Sequence, residues 1–163
     1  MYLLDKINQT LNRLLVFIGG FFLVAMIVLA CANILSRLVW VPIRGTFELM
    51  GYFGAVVTAF ALGYTQLQKG HIAVDVLVNT FSKKTQRIIR IINHLTGTVF
   101  FALAAWQVSI KATTLLRTGE VTETLRIIYY PFTYAVALGC IVLALVLFTD
   151  LLKLFTTEKE TIR

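Results

Sequence analysis

Hydrophobic residues in this chain are gathered into four long runs that short polar segments separate. The runs cover approximately residues 14–36, 46–67, 88–110 and 130–152. Each has about the 20 residues that an α-helix needs to cross a hydrocarbon layer of about 30 Å. The sequence therefore predicts an all-α membrane protein with four transmembrane helices. No linker, repeat or low-complexity tract divides the chain, which predicts a single membrane domain over residues 1–163.

Local signals mark where these spans begin. Thr46 is predicted to be the N-cap of the second span, because its side chain can accept a hydrogen bond from the first helical turn. Pro131 suits the first turn of the fourth span. The segment between the second and third spans mixes apolar side chains with basic ones, which predicts a short amphipathic stretch along the membrane surface.

Composition supports lipid as the solvent of most side chains. Hydrophobic residues make up 58% of the 163 residues and charged residues only 14%, with a mean hydropathy of +0.83. A soluble domain of this size has too much surface to hide so many apolar groups. The net charge of +7 is not interpreted as nucleic-acid binding, since no basic stripe with aromatic residues lies outside the spans. Cys31 and Cys140 lie inside apolar runs and are interpreted as core thiols without a disulfide.

The positive charges are distributed unevenly over the two sides of the membrane. With four spans, both termini and the connection between spans two and three share one side. That side carries ten of the fifteen lysines and arginines. The positive-inside rule therefore predicts that both termini are cytoplasmic.

Glu48 is the one charged residue in the second span and lies at its mouth, on the predicted outer side. Arg37 and Arg44 lie on the same side and close to it in sequence. Three interpretations remain: an interfacial ion pair or helix cap, a docking contact for a partner subunit, or a proton-coupling carboxylate. The last would require a carboxylate deeper in the membrane.

His71 and Asp75 follow the second span and are four residues apart. A hydrogen-bonded interfacial histidine is one interpretation. A haem or metal ligand pair with His94 is the other. No nucleophile or further carboxylate accompanies them, so the sequence predicts neither an enzyme nor a catalytic residue, and no cofactor of the chain's own.

Several other polar residues lie inside or beside the spans. Asn33, Asn93 and Gln107 are predicted to hydrogen-bond across helices. The second span carries small and polar residues on one side and larger apolar residues on the other, which suggests one side against protein and the other towards lipid or another subunit. Four basic residues before the third span are predicted to contact anionic lipid headgroups: Lys83, Lys84, Arg87 and Arg90.

The order of these features resembles a known family. Asn33-Ile34-Leu35-Ser36-Arg37 closes the first span, Pro42 follows, Glu48 opens the second span, and His71-Ile72-Ala73-Val74-Asp75 comes after it. This order is similar to the DctQ-type small membrane subunit of tripartite ATP-independent periplasmic (TRAP) transporters. Many members carry a Trp and two adjacent carboxylates where this chain has Gly45-Thr46-Phe47-Glu48-Leu49.

The resemblance implies a small subunit of a bacterial or archaeal inner-membrane transporter. A large membrane subunit would carry the sodium and substrate sites. A periplasmic binding protein would deliver an organic anion, such as a C4-dicarboxylate or a sugar acid. This chain would pack on the static scaffold of the large subunit and help to dock the binding protein. Residues at the family's recurrent positions would then have structural or interfacial roles: Asn33, Arg37, Glu48, His71 and Asp75.

Two other functions remain alternatives from the residues alone. A four-helix membrane cytochrome would use His71 and His94 as haem ligands and would give a coloured preparation. A small self-assembling exporter would be active without a partner, although no deep charge in the spans marks a path for its substrate.

Overall fold

The structure, a computed structural model, describes residues 2–39, 41–68 and 82–161. Four helices make up nearly all of this part of the chain: α1 (Tyr2–Val39), α2 (Thr46–Leu67), α3 (Lys83–Thr118) and α4 (Tyr130–Thr161). All four are long and apolar enough to cross a membrane. The prediction of an all-α membrane protein with four spans is therefore confirmed. The predicted amphipathic stretch between α2 and α3 falls largely outside the described residues.

The helices are longer than the apolar runs that predicted them. The 38 residues of α1 reach about 57 Å at a rise of 1.5 Å per residue, well beyond a hydrocarbon layer. The polar N-terminal residues therefore continue α1 past the membrane core, where they pack against the end of α4. Both termini, the end of α2 and the start of α3 lie at one end of the bundle, here called the termini end. The connections α1–α2 and α3–α4 lie at the other, the loop end.

Capping residues mark the ends of the helices, but the cap of α2 is not the predicted one. The N-cap of α2 is Gly45, in a left-handed conformation with φ 75°, and not Thr46. Thr46 is the first helical residue, and its buried hydroxyl donates to the carbonyl of Ile43 at 2.8 Å. Ser82 caps α3 by accepting from the Thr85 N–H, and Gly119 ends α3 in a left-handed conformation that glycine adopts at little cost.

Helix α4 is the centre of the bundle. Half of its apolar window is buried, against 28% for α2, 11% for α1 and 6% for α3. Helices α1, α2 and α4 share one core, which is built on Leu15, Val56, Phe60 and Val142. Helix α3 packs mainly on α4. The bundle is therefore a three-helix core with α3 attached to one side of α4.

Helices α2 and α4 approach closely at a glycine. A Cβ added to Gly139 would lie 2.5 Å from the carbonyl oxygen of Ala59, so only glycine fits there. Small residues permit such close packing between membrane helices. Aromatic rings tie the same region together towards the loop end, since Tyr52 stacks on Phe132 with 5.3 Å between centroids and Phe22 contacts Phe53 at 5.2 Å.

The burial of α2 does not follow the division between small and large residues. On the small and polar side Ala59 is 4% exposed, although Ala55 and Thr58 are exposed, and on the other side Phe60 is 5% exposed. Gly19 of α1 explains the burial of Phe60, because a Cβ there would lie 3.5 Å from Phe60 Cβ. The partner helix supplies the small residue and α2 supplies the large one. Cys140 is buried as predicted, whereas Cys31 is exposed on α1.

Candidate functional site

Glu48 fastens the loop end of the bundle. Its carboxylate oxygens accept hydrogen bonds from the backbone N–H groups of Thr124 at 2.8 Å and Leu125 at 3.3 Å. Both donors lie in the connection between α3 and α4. A carboxylate that receives backbone N–H groups forms a charge-assisted bond, which is stronger than a neutral one. The first turn of α2 therefore holds the α3–α4 connection.

Leu125 and Gly45 complete this contact. The Leu125 side chain occupies the space that a Cβ on Gly45 would need. Gly45 also has a positive φ, so a larger residue there is strained as well as crowded. We call these four residues the Glu48 latch: Gly45, Glu48, Thr124 and Leu125.

The α3–α4 connection is itself a closed turn. Val121 and Ile128 form an antiparallel bridge, and the Thr122 N–H donates to the Ile127 carbonyl at 3.0 Å. Tyr129 follows this turn and stacks on Tyr52 of α2 with 5.7 Å between centroids. Partial burial, with the carboxylate of Glu120 beside it, raises the pKa of Tyr129.

The arginines that accompany Glu48 in sequence do not bind it. Arg37 and Arg44 are exposed, and neither forms an ion pair with Glu48 in the part of the chain that the structure describes. The carboxylate prefers the amides because they are fixed in the backbone, whereas a long exposed arginine side chain loses entropy on pairing. Glu48 therefore joins two elements through backbone amides, a contact that none of the three interpretations included. A docking contact for a partner subunit stays a prediction.

Asn33 closes the other connection at the loop end. Its side-chain oxygen accepts a hydrogen bond from the Ile43 N–H at 2.9 Å. The expectation that Asn33 bonds across the spans is therefore wrong, because the loop after α1 folds back onto the helix end. Asn93 and Gln107 are exposed, and neither bonds another residue within the described ranges.

The termini end carries a network that the sequence reasoning missed. Lys153 Nζ lies 2.7 Å from the carboxylate of Asp5 and 3.9 Å from that of Asp150. Gln66 donates to Asp150 at 3.2 Å, and Asn8 donates to the Thr149 hydroxyl at 2.8 Å. These bonds join α1, α2 and α4. We call this the termini network: Asp5, Asn8, Asn12, Gln66, Thr149, Asp150 and Lys153.

Asn12 is the fully buried member of this network, at 0% exposure. Its amide donates to the Asn8 carbonyl at 2.8 Å. Its side-chain oxygen has no conventional donor among the described residues and points at Gly63 of α2. A side chain on Gly63 would collide with this oxygen, so only glycine fits at that position. The spacing of Asp5, Asn8 and Asn12 along one helical face is the signal that would have found them.

The predicted lipid-binding residues lie at the start of α3. Arg87 donates to the Leu154 carbonyl of α4 at 3.3 Å, which gives it a structural contact. Lys83 and Arg90 are exposed, and Lys84 lies in the same first turn of α3. Contact with anionic headgroups remains a prediction for these residues.

The histidines are not brought together by the described residues. His94 lies on α3, half-buried, and its Nδ1 is buried without a hydrogen-bond partner in residues 2–39, 41–68 and 82–161. His71 and Asp75 lie outside these ranges. No cluster of three metal-ligating groups occurs in the described part of the chain. The polar residues of the loop end and of the termini end instead hold the elements of the bundle together.

Residues 26–157 match one known protein family, described as tripartite ATP-independent periplasmic transporters, DctQ component. The matched region includes Asn33, the Glu48 latch, the whole of α2 and α3, and most of α4. No curated protein and no solved structure shows a significant match to the chain.

Proposed function

Because the chain belongs to the DctQ family and is thus a small membrane subunit of a TRAP transporter, we propose that it is the accessory scaffold of a sodium-coupled organic-anion importer. In this proposal the sodium and substrate sites belong to the large membrane subunit. The chain packs on the static scaffold of that subunit in the bacterial or archaeal inner membrane. A carboxylate such as a C4-dicarboxylate or a sugar acid is the cargo.

The hydrogen bonding of the Glu48 carboxylate is the observation that supports a scaffold role. A coupling carboxylate has to exchange protons or ions during transport, and it lies deep in a span. Glu48 instead lies in the first turn of α2 and both its oxygens are bonded to backbone amides of the α3–α4 connection. The polar residues at the termini end are likewise engaged with neighbouring helices. This chemistry suits a rigid support.

The loop end supports a docking role for a binding protein. The latched α3–α4 connection presents Val121, Ile127 and Ile128, which are 41%, 39% and 49% exposed. Charged residues stand beside them, as in the polar rim of a protein interface. With both termini cytoplasmic, as the charge distribution predicts, this connection faces the periplasm, where a binding protein arrives.

Reconstitution tests this function. Proteoliposomes would contain the chain alone, the large subunit alone, or both, each with the periplasmic binding protein and a sodium gradient. We expect uptake of an organic anion only when both membrane subunits are present. Uptake by the large subunit alone at the same rate, or by this chain alone, would overturn the scaffold role.

A Glu48→Gln variant extends the test to docking, since an amide oxygen replaces only part of the latch. We expect normal recovery of the complex with the large subunit. Uptake should, however, need a higher concentration of the binding protein to reach saturation. The matched control is Glu123→Gln, an exposed carboxylate on the same connection that the latch does not use. Equal saturation curves for both variants would contradict the docking role.

A further inference from the structure

The exposed side of α3 carries a seven-residue repeat. Positions seven apart, together with the positions three residues after each of them, form a nearly straight stripe along one side of a helix. Helices that pack side by side contact each other through such stripes. Seven exposed residues share this repeat, and we call them the α3 seam: Asn93, Thr96, Phe100, Leu103, Gln107, Ile110 and Thr114.

The α3 seam lies away from α4. The residues by which α3 packs on α4 are Ala105, Ala112 and Leu115, which are 4%, 0% and 1% exposed. On the seam, by contrast, Phe100 is 63% exposed and Leu103 60%. Within the described ranges, no helix of this chain packs against the seam.

The chemistry of the seam is unsuited to lipid. Asn93 and Gln107 lie inside the apolar span 88–110 and bond no other described residue. They are 14 positions apart in sequence, or about 21 Å along the helix, so a hydrocarbon layer of about 30 Å has room for both. A polar group without a hydrogen bond is costly in that layer. A neighbouring helix with polar side chains satisfies such amides, and lipid tails do not.

The exposed side of helix α1 in the same molecule has a different composition. Its exposed residues from Leu14 to Leu35 are apolar apart from Gly20 and Cys31, and none is an amide or a hydroxyl. Phe17 and Phe21 of that face are 78% and 70% exposed. Both α1 and α3 thus have an exposed side, but the two sides differ in chemistry: within the spans, only the side of α3 carries amides and hydroxyls.

We propose that the α3 seam is the surface on which a transmembrane helix of the large membrane subunit packs, with Asn93 and Gln107 hydrogen-bonded to polar side chains of that helix. This inference rests on the proposed function, which supplies the partner. A second copy of this chain fits the seam less well. In a parallel pair, Arg117 continues the repeat and would face the same residue of the other copy, with like charges in contact.

Photo-crosslinking in the assembled transporter tests the seam. Benzoyl-phenylalanine replaces Phe100 on the seam and, as a matched control, Phe21 on α1, which is an equally exposed phenylalanine in a span. We expect a crosslink to the large subunit from position 100 and none from position 21. A crosslink from position 100 to a second copy of this chain, or to no protein, would overturn the proposal.

Removal of the two amides gives an independent measurement. The double variant Asn93→Leu with Gln107→Leu is compared with the double variant Ile92→Leu with Val99→Leu, whose residues lie on the same helix beside the seam. Recovery of the large subunit with the tagged chain should fall about sevenfold for the first pair, which corresponds to two interhelical bonds of about 0.6 kcal/mol each. The control pair should recover as the unchanged chain does.

The failures of the two proposals are distinguishable. If the unchanged chain retains no large subunit, the proposed function itself fails. If it does retain the large subunit and the amide-free variant retains as much, with the same helix content by circular dichroism, only the seam is refuted.

Discussion

The two ends of the bundle are held together by different kinds of bond. At the loop end one carboxylate, Glu48, grips two backbone N–H groups of a connection. At the termini end the bonds are distributed over seven side chains of α1, α2 and α4, three of which, Asn8, Asn12 and Thr149, are buried. A single side chain thus controls the loop end, whereas the termini end is part of the helix packing itself.

This difference has a consequence for stability and dynamics. Bonds within the buried core are broken only when the bundle opens, while a bond to an exposed connection can break locally. We therefore expect changes at the termini end to affect the whole bundle. Changes in the Glu48 latch should affect the connection and whatever docks on it.

The largest effect is expected at Gly63, where the termini network meets α2. In Gly63→Leu the side chain would collide with the Asn12 amide and with Val142, and overpacking of a tight core costs about 1–3 kcal/mol or more. Thermal unfolding in detergent should show a much lower midpoint. The control is Gly20→Leu, since Gly20 has open space around it and the same change there should leave the midpoint nearly unaltered. Similar losses at both glycines would remove the distinction between the two sites.

A smaller and local effect is expected at Glu48. Glu48→Ala leaves the Thr124 and Leu125 amides without their acceptor, so their hydrogen exchange should accelerate about tenfold or more. The unfolding midpoint should move little, because the connection is not part of the helix core. Glu123→Ala is the control on the same connection. A loss of global stability as large as that of Gly63→Leu would show that the loop end is also part of the core.

Gly45 sharpens the interpretation of the latch. Gly45→Ala places a Cβ against Leu125 in a left-handed conformation, a strain of about 1 kcal/mol before any collision. We expect the same pattern of faster exchange at Leu125, more weakly than in Glu48→Ala. Gly51→Ala, at an open helical position, should leave the exchange unchanged. Unaltered exchange in Gly45→Ala would mean that Leu125 is held by other contacts.

The smallest effect is expected for the ion pair of the termini network. The side chains of Lys153 and Asp5 are 42% and 34% exposed, and such pairs contribute about 0.2–1 kcal/mol. A double-mutant cycle of Asp5→Asn and Lys153→Met on the unfolding midpoint measures this coupling. A coupling well above that range would place the strength of this end in its charges and not in Asn8 and Asn12.

The four spans and the family could be recognised from the sequence because lipid imposes a simple condition. Each spanning segment must satisfy its own backbone hydrogen bonds and present apolar side chains, and that condition is visible as runs of hydrophobic residues. The importance of Glu48 was also visible, since a charge at the mouth of a span is rare. The order of Asn33, Arg37 and Glu48 pointed to the same family as the match over residues 26–157.

The partners of these residues could not be predicted. Glu48 binds amides 76 and 77 positions away instead of the nearby arginines, and Asn33 bonds a loop and not another span. The burial of Phe60 on α2 could not be predicted either, because it depends on Gly19 of another helix. Backbone amides are the same in every sequence, so nothing in the residue pattern indicates which of them a carboxylate reaches.

What the sequence by itself determined is therefore the set of helices, their membrane setting and the family, because these depend on local composition and on hydrophobic length. What only the tertiary structure decided is which faces meet. It placed α4 at the centre, attached α3 to one side, and left the amides of Asn93 and Gln107 facing outwards. Packing depends on the fit of side chains from distant segments, and that fit exists only once the helices are together.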